Sequence, residues 1–379
     1  MRLLIVNPFA RRRGGAENML WSLLRHLDGC RTEAAVLFTR PGPFEREVAA
    51  LGVRTLLVQV SRIRQLSHCA RSIASLARVL RAEQPDLVLS WMPQVHVHVA
   101  PAAMLAGLAG RLVWFQHYLP NRRHWLDRSL PLLPARAVGC CSESVAQAML
   151  WPRRPTFVVH PGIEPRQSRT EQERASARRA LGLPEGRPVI GIVGRLEPLK
   201  RQDLFLRVLA VLVRRGHDVH GLVVGGEADG TASGYREHLR GTAARLGLRG
   251  NVTFTGHVED ATLQMQAMDA LVNVSTQEGF SLALVEAMAL GLPVAAFANG
   301  GPTEIVEPGV SGLLVPADDE GMLADQLDAL LRHGELRERL GRGGFRCQRQ
   351  RFTAAAMAES FQWHLEDLWR SGRPALGAI

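Results

Sequence analysis

The sequence is poor in lysine, in aromatic residues and in long apolar runs, and each shortage narrows the class of protein. Aromatic residues make up 6% of the chain, and none interleaves with the arginines as a stacking motif, so nucleic acid is not an expected partner. No run reaches the roughly 18 apolar residues of a membrane-spanning helix; the closest, 95–110, contains two histidines and a proline. The apolar run 3–6 is too short for a signal peptide. We therefore expect a soluble, cytoplasmic protein, attached at most to the inner face of the cytoplasmic membrane.

The cysteines are few and scattered, and they form neither a C-x-x-C pair nor a cluster of ligands. This usage suits unpaired, mostly buried thiols in a reducing compartment. It gives no support for a metal site, and no well-placed acid-x-acid motif follows a predicted strand. We therefore expect no metal and no cofactor. The cysteines are Cys30, Cys69, Cys140, Cys141 and Cys347.

Positive charge is concentrated in the first half of the chain. Through residue 170 there are 23 arginines and 10 carboxylates, whereas the remainder has 23 Lys and Arg residues against 26 carboxylates. A basic half favours an anionic partner, such as an anionic membrane surface or a phosphorylated substrate; a solvated arginine-rich surface is the alternative. Lys200 is the one lysine. A phosphate at close quarters can require such a compact ammonium, although chance retention is also open.

Short apolar runs alternate with helical patterns, which predicts an α/β protein with doubly wound parallel sheets. At 379 residues the chain is long enough for two domains. We predict a Rossmann-like domain at 1–163, a polar linker at 164–187, a second Rossmann-like domain at 188–351 and a C-terminal helix and tail at 352–379. The last helix is expected to pack across the domains, with a membrane-facing role as the alternative. The predicted strands are 3–7, 34–38, 55–60, 85–91, 112–117, 138–142, 157–160, 189–193, 221–224, 251–255, 270–274 and 294–297.

Glycine and polar residues follow several of these strands, where ligands of such sheets bind. Gly14-Gly15 lies between the first strand and a helix, so its backbone N–H groups can approach a phosphate; a simple turn is the alternative. His117 ends the fifth strand and is either a site residue or a packed core histidine. Arg195 and Lys200 follow the eighth strand, five residues apart, and can clamp a diphosphate. A cleft between the two domains is the expected binding place.

The stretch 277–292, QEGFSLALVEAMALGL, carries two carboxylates on either side of a predicted helix start. Glu278 precedes the helix and Glu286 lies inside it, about 12 Å further along its axis. That span approaches the distance from a sugar to the ribose of a nucleotide sugar, and the free N–H groups between them favour an anion. Glu286 would be costly to bury without a partner, so a position on the solvated face of the helix is the alternative.

These motifs resemble the signature of the retaining GT-B-fold glycosyltransferases of family 4, also called glycosyltransferase group 1. The C-terminal half carries most of the likeness, in GRLEPLK and in the run from QEGFS through GGPTEIV to LLVPADD. The N-terminal half resembles the family through GGAE, His117 and the CSES and HPGIE segments. The resemblance implies two Rossmann-like domains facing a central cleft. It also implies metal-independent transfer of a sugar, with retention, from a UDP- or GDP-sugar to a glycan or lipid-linked saccharide in cell-envelope or exopolysaccharide synthesis.

The resemblance further implies a role for each matching residue. Arg195 and Lys200 bind the donor diphosphate, Glu278 contacts the transferred sugar, and Glu286 holds the ribose hydroxyls. His117 is expected near the donor sugar and the acceptor. The remaining donor contacts are expected at Gly15, Gly194, His257, Val258, Gly279, Phe280, Ser281 and Leu282.

Two departures from the family pattern and two rival functions stay open. Arg201 stands where glycine is common after the clamp lysine, and Glu227 after Gly225-Gly226 makes donor contacts there doubtful. A non-catalytic nucleotide-sugar-binding or scaffold protein of the same fold is the main alternative. A GT-B epimerase or phosphorylase would need carboxylates or a cofactor lysine that the sequence does not place.

Overall fold

The computed structural model describes residues 1–12, 14–61, 66–121, 123–149, 154–227 and 234–372. Within these ranges the chain divides into two compact units. The N-terminal unit comprises Met1–Glu164 together with the C-terminal stretch from Ala354, and the C-terminal unit comprises Pro165–Thr353. Each unit is a parallel sheet with helices on its faces, so the predicted pair of doubly wound α/β domains is confirmed.

The N-terminal unit is built on a seven-stranded parallel sheet, counted over the described residues, in the order β3-β2-β1-β4-β5-β6-β7. Its inner strands are apolar and buried, as a sheet covered by helices requires, whereas the two outer strands are partly exposed. The strands are β1 (Arg2–Asn7), β2 (Glu33–Phe38), β3 (Arg54–Leu57), β4 (Leu87–Ser90), β5 (Leu112–Gln116), β6 (Ala137–Cys140) and β7 (Thr156–Val158). The helices are α1 (Gly15–His26), α2 (Pro43–Ala49), α3 (Leu66–Glu83), α4 (Pro93–Leu105), α5 (Trp125–Ser129) and α6 (Glu143–Ala148).

The C-terminal unit has six parallel strands in its described part, in the order β10-β9-β8-β11-β12-β13. The strands are β8 (Val189–Val193), β9 (His220–Val224), β10 (Val252–Gly256), β11 (Ala270–Asn273), β12 (Val294–Phe297) and β13 (Leu313–Val315). The helices are α7 (Glu171–Ala180), α8 (Gln202–Arg214), α9 (Tyr235–Arg245), α10 (Thr262–Ala267), α11 (Leu282–Ala289), α12 (Pro302–Ile305), α13 (Glu320–Arg332) and α14 (Gly334–Arg351). Pro198–Lys200 forms a single 3-10 turn after β8.

The stretch predicted as a linker at 164–187 is different in the structure. It contains α7, which begins with a capping box between Thr170 and Glu173. Arg174 and Arg178 of this helix both pair with the buried carboxylate of Asp269, which also accepts a hydrogen bond from the backbone N–H of Val189 at 2.6 Å. Ionic contacts and burial therefore fix α7 to the C-terminal unit, and its high polarity reflects one solvated face.

The last helix, α15 (Ala354–Ser371), returns to the N-terminal unit. Arg31 donates to the carboxylates of Glu359 and Glu366, and Gln362 Nε2 donates to Thr32 Oγ1 at 2.8 Å. Of the region predicted as a C-terminal helix and tail, 352–379, the part from Ala354 to residue 372 thus belongs to the first unit and is held there by specific polar contacts. None of the helices in the described ranges combines the length and apolar character of a membrane span.

Candidate functional site

The polar residues of the C-terminal unit gather at the carboxyl end of its sheet. β8, β11 and β12 are neighbours in the sheet, so the loops that follow them meet. The strand order also reverses at β8, which lies between β9 on one side and β11 on the other. Ligands of open parallel sheets bind outside such a switch point. The three loops carry most of the site residues predicted in this unit.

Lys200 and Glu278 form the centre of this site. The ammonium of Lys200 lies 2.7 Å from Glu278 Oε2, and the side chains are 22% and 11% exposed. Burial alone would raise the pKa of Glu278, but the charge of Lys200 and hydrogen bonds from Lys200, Asn273 and Ser275 outweigh it, so the pKa is lowered. Glu278 is therefore ionised at neutral pH. The one lysine of the chain is therefore in direct contact with the first of the two glutamates in the stretch 277–292.

The loop that carries Glu278 is fixed from both sides. The N–H of Thr276 donates to the carbonyl of Leu199 at 2.9 Å, which joins it to the Lys200 turn. The N–H of Gly301 donates to the carbonyl of Glu278 at 3.0 Å. A Cβ at Gly301 would overlap the Phe280 backbone. The GGPTEIV segment therefore acts as a support for the loop, and glycine is required there by close approach of two backbones.

The loop ends in a strained residue at the start of α11. Ser281 has φ +98° and ψ +80°, in a region that a residue with a side chain rarely adopts, and its side chain does not cap the helix. Its carbonyl accepts a 3.2 Å hydrogen bond from the N–H of Leu284. The start of α11 is the place where we expect backbone N–H groups, including that of Leu282, to meet an anion. Phe280 anchors the loop, since it is buried and stacks edge-on against Phe352 at 5.6 Å.

Glu286 differs from Glu278 in having no counter-ion beside it. It is half-buried on α11, and no residue in the described ranges hydrogen-bonds to its carboxylate. Burial raises its pKa to about 7; the charge of Arg166 lowers it and that of Asp260 raises it, both to a smaller extent. Glu286 thus lies with residues 282 and 283 on the less buried side of α11, neither fully solvated nor fully buried. An unpaired, partly buried carboxylate is a costly feature and points to a binding role.

Arg195 lies on the same edge but does not join the Lys200–Glu278 pair. Its guanidinium is 61% exposed and pairs with Glu197 at 3.2 Å. Its carbonyl accepts a 2.8 Å hydrogen bond from Gln202 Nε2, which fixes the backbone of the turn. Close below it, a Cβ on Gly225 would overlap the carbonyl oxygen of Gly194, and Gly225 has φ +143°. The backbone of the turn is therefore held in place, while the arginine side chain is mostly exposed and pairs with Glu197 alone among the described carboxylates.

His257 and Val258 follow β10, at the far side of the same sheet edge. His257 is exposed and Val258 is half-buried. A Cβ on Gly226 would press on Cβ of His257 at 2.7 Å, so the Gly225-Gly226 turn lies directly against this residue. Gly225 thus packs against Gly194 and Gly226 packs against His257, so this pair of glycines lies between the Gly194 turn and the backbone that is predicted to contact the base.

In the N-terminal unit, Gly15 and His117 are joined through Trp91. The indole N–H of Trp91 donates to the carbonyl of Ala16 in the first turn of α1, at 2.9 Å. His117 Nε2 donates to the carbonyl of Trp91 at 2.8 Å, and the rings are 4.9 Å apart. Burial, opposed in part by this hydrogen bond, lowers the pKa of His117 to about 3. His117 is thus a neutral imidazole whose Nδ1 is left as an acceptor.

Sequence reasoning missed Asn273, the last residue of β11, and Gln202. Both are buried amides, and each holds a backbone or carboxylate group of the site. A signal was present for Asn273, because a single amide inside the apolar run ALVNV is costly unless it has partners. No group of three or more His, Cys, Asp or Glu side chains in the described part of the chain is arranged to hold a metal ion.

Two family models match the chain, one in each unit. The model described as Glycosyltransferase Family 4 matches residues 13–167. The model described as Glycosyl transferases group 1 matches residues 173–346. Between them the two models account for most of the chain, including every predicted site residue.

Among curated proteins, the chain is similar to mycobacterial proteins named D-inositol 3-phosphate glycosyltransferase. The protein of Mycobacterium sp. (strain KMS) is 40% identical over 179 residues, which are 47% of this chain and 39% of the relative. That of Mycobacterium tuberculosis (strain F11) is 40% identical over 180 residues, 46% of this chain and 36% of the relative. The match thus spans about two fifths of the length of these relatives.

Solved structures share the fold over nearly the whole chain. The crystal structure of Anabaena HepE in complex with UDP and glucose has a TM-score of 0.84 at 24% identity and covers 97% of this chain and 100% of its own. Sucrose-phosphate synthase from Thermosynechococcus elongatus has a TM-score of 0.80 at 18% identity, with coverages of 98% and 100%. These similarities agree with the fold of two parallel-sheet α/β units. The chain belongs to the GT-B-fold glycosyltransferases of family 4, the glycosyl transferases group 1.

Proposed function

We propose that the protein is a retaining glycosyltransferase that moves a sugar from a nucleotide-diphosphate sugar to a glycan or lipid-linked saccharide acceptor. The observation that carries the proposal is the ionised Lys200–Glu278 pair beside the open start of α11. Glycosyl transfer separates charge, with positive charge on the sugar and negative charge on the departing phosphate. A fixed carboxylate, an ammonium and helix N–H groups within one loop system can stabilise both charges.

We assign four parts of the donor, namely the diphosphate, the transferred sugar, the ribose and the base, to residues of the C-terminal unit. Lys200, Arg195 and the N–H groups of 279–282 would hold the diphosphate, and Glu278 would bind hydroxyls of the sugar. Glu286, whose carboxylate has no hydrogen-bonding partner among the described residues, would accept hydrogen bonds from the ribose diol. The backbone at His257 and Val258 would meet the base. Gly15 and His117 of the other unit stay predicted contacts of donor and acceptor.

Retention and metal independence are part of the proposal. No carboxylate nucleophile was identified from the sequence, so same-face attack is proposed, with the leaving phosphate oxygen accepting the proton of the acceptor hydroxyl. The ammonium of Lys200 and the guanidinium of Arg195 would take the place of a divalent cation at the diphosphate. Transfer that is unchanged by a chelator, with the donor's anomeric configuration kept in the product, is the expected result.

The proteins to which this chain is similar suggest which donors and acceptors to test first. HepE is described in complex with UDP-glucose, so UDP-glucose is the first donor to test, followed by other UDP- and GDP-sugars in a thermal-shift panel. The mycobacterial relatives carry D-inositol 3-phosphate in their name, and an anionic acceptor of that kind would suit the basic N-terminal half. Inositol phosphates and lipid-linked saccharides therefore form the acceptor panel.

The decisive experiment measures sugar transfer in the wild type, Lys200→Ala and Glu278→Gln, with Glu335→Gln as an exposed control from the same unit. We expect donor-dependent product from the wild type and the control, and at least a hundredfold loss in both site variants, since each removes a charge at the reacting centre. Near wild-type turnover in either variant would refute the site assignment. Nucleotide-sugar binding without transfer on any acceptor would favour the non-catalytic alternative.

An anionic membrane surface is proposed as a further partner of the basic half, in a cytoplasmic setting where lipid-linked acceptors are made. The arginines proposed to meet the lipid are Arg11, Arg12 and Arg123 in the described part of this half, and Arg13, Arg62, Arg64 and Arg122, which fall outside the described residues. Co-sedimentation with vesicles should rise with the fraction of anionic lipid and fall with salt. Binding that depends on neither would contradict the proposal.

A further inference from the structure

The side chain of Asn273 uses all of its hydrogen-bonding groups on the loop that follows it. Its Nδ2 donates to Glu278 Oε2 at 3.2 Å and to Ser281 Oγ at 2.7 Å. Its Oδ1 accepts from the backbone N–H of Ser275 at 3.1 Å. The residue is 8% exposed. One amide therefore touches the beginning, the middle and the end of the loop 275–281.

The orientation of this amide is fixed by chemistry. An ionised carboxylate and the backbone N–H of Ser275 cannot be exchanged as partners, because the first only accepts and the second only donates. A flipped amide would set oxygen against the carboxylate of Glu278 and NH₂ against an N–H group. The environment thus demands two donors and one acceptor on a short side chain, which asparagine supplies and aspartate does not.

The first consequence concerns Glu278. Lys200 is the charged group that acts on it, and the neutral donors are Asn273 and Ser275. Lys200 and Asn273 meet the same carboxylate oxygen, from the β8 turn and from β11. A carboxylate held by two donors from different elements has little freedom to turn, so its direction is set before any ligand arrives.

The second consequence concerns the start of α11. A serine at this position usually turns its hydroxyl back to cap the N–H groups of the first turn. Here the Ser281 hydroxyl is bound to Asn273, the residue is held at φ +98°, and no side-chain cap is made. Of the two N–H groups that a capping serine can occupy, that of Leu284 donates to the Ser281 carbonyl, so that of Ala283, together with the N–H of Leu282, is the one left for a ligand.

We propose that Asn273 is a positioning residue of the donor site, which orients Glu278 and keeps the Ser281 hydroxyl away from the first turn of α11. The inference rests on the proposed function only in taking the donor diphosphate as the anion that α11 receives. It adds that the same amide prepares both the carboxylate and the phosphate-binding N–H groups.

The test compares Asn273→Ala and Asn273→Asp with Asn299→Ala. Asn299 is the matched control, because its Nδ2 donates to the carbonyls of Ser275 and Thr276 in the same loop and has no bond to Glu278 in the structure. The titration of Glu278 is followed by ¹³C NMR of carboxyl-labelled glutamate, assigned by the signal missing from Glu278→Gln. This readout needs neither donor nor activity.

We expect Glu278 in Asn273→Ala to titrate about one pH unit higher than in the wild type, since a hydrogen bond to the charged form is lost. In Asn273→Asp the second carboxylate should raise the pH at which Glu278 titrates still further. In Asn299→Ala the titration should stay where it is in the wild type. Equal shifts in the alanine variants of Asn273 and Asn299 would mean that Asn273 only stabilises the loop, and would overturn the proposal. Asn273→Asp keeps the side-chain volume, and so serves if the alanine variant does not fold.

The effect on α11 is tested with UDP as the probe, by calorimetry. Asn273→Ala should bind UDP about tenfold more weakly, as the freed Ser281 hydroxyl competes for the N–H groups. Adding Ser281→Ala should restore most of that affinity, because no hydroxyl is left to compete. Loss without restoration would refute the capping argument. If the wild type binds no UDP or other nucleotide, the proposed function fails, while the NMR result still decides the role of Asn273 toward Glu278.

Discussion

Glu286→Gln should make the protein more stable while weakening the binding of its donor. The carboxylate of Glu286 is half-buried and has no hydrogen-bonding partner in the described ranges, and its pKa is raised from 4.5 to about 7. The folded state therefore holds a proton that the unfolded state releases. Between pH 4.5 and 7 stability falls as pH rises, and above pH 7 the full cost is present.

The size of the cost follows from the shift in pKa. A change from 4.5 to about 7 corresponds to about 3 kcal/mol at 1.36 kcal/mol per unit, as an upper limit because the carboxylate keeps some contact with water. Glutamine has the same shape and no charge, so Glu286→Gln should recover this free energy at pH 8 and almost none at pH 4.5. For a domain of this size about 3 kcal/mol is several degrees in Tm.

The assay is thermal unfolding at a series of pH values from 4.5 to 8, for the wild type, Glu286→Gln and the exposed control Glu335→Gln. The difference in Tm between wild type and Glu286→Gln should grow with pH and level off above 7, while the control follows the wild type. A difference that does not change with pH would show that the carboxylate is well solvated, and would refute the reasoning. UDP affinity measured on the same samples should fall in Glu286→Gln alone.

Three further substitutions test the surroundings of the site. Gly225→Ala should destabilise the C-terminal unit by about 1–3 kcal/mol and weaken UDP binding, since its Cβ would displace the Gly194 carbonyl; unchanged affinity and Tm would contradict the close approach. Asp269→Ala should lower the free energy of unfolding by about 3–5 kcal/mol in urea titrations, because two arginines lose a buried partner. The control Asp218→Ala removes a carboxylate that is 76% exposed. It should change the free energy of unfolding by less than about 0.5 kcal/mol. Arg195→Ala should weaken UDP binding about tenfold or more in calorimetry. It should leave Tm nearly unchanged, because the Arg195 side chain is 61% exposed. A Tm lowered along with the affinity would mean that the arginine stabilises the fold.

Twelve of the thirteen strands in the described residues could be predicted from the sequence, because each is a short apolar run between polar loops; β13 (Leu313–Val315) was not predicted. β12 was predicted at its observed bounds, Val294–Phe297. Helices followed the pattern less well. The sequence predicts a helix over 100–108, whereas α4 begins seven residues earlier, at Pro93. Proline suits the first helical turn, and two buried histidines break the apolar period.

α14 was not predicted, and its packing shows why. The helix GELRERLGRGGFRCQRQR has few large apolar residues, and three of its five buried residues are glycines. A Cβ on Gly343 would overlap the carbonyl of Val310, and one on Gly344 would press on Met288 of α11. Close packing through small residues leaves no hydrophobic period in the sequence.

The site shows a similar division. The chemistry of Lys200, Glu278 and Glu286 could be inferred from residue type and spacing, since each is unusual in its surroundings. The contact between Lys200 and Glu278 spans 78 positions of the chain and depends on the order of strands β8 and β11. Asn273 has no motif of its own, and its importance comes from three partners that only the folded loop brings together.

The surroundings of the two glutamates in the stretch 277–292 shift their pKa values in opposite directions, down for Glu278 and up for Glu286. The Lys200 ammonium and the hydrogen bonds to its carboxylate keep Glu278 anionic without a ligand, so its ionisation does not depend on donor binding. Glu286 carries no such partners, and burial holds it close to half-ionised at neutral pH. If a ribose diol binds there as proposed, its two hydroxyl donors favour the charged carboxylate, and binding must release a proton wherever Glu286 was protonated. Donor affinity then falls as pH is lowered below 7, and this dependence belongs to Glu286 and not to Glu278, whose ionisation is already fixed.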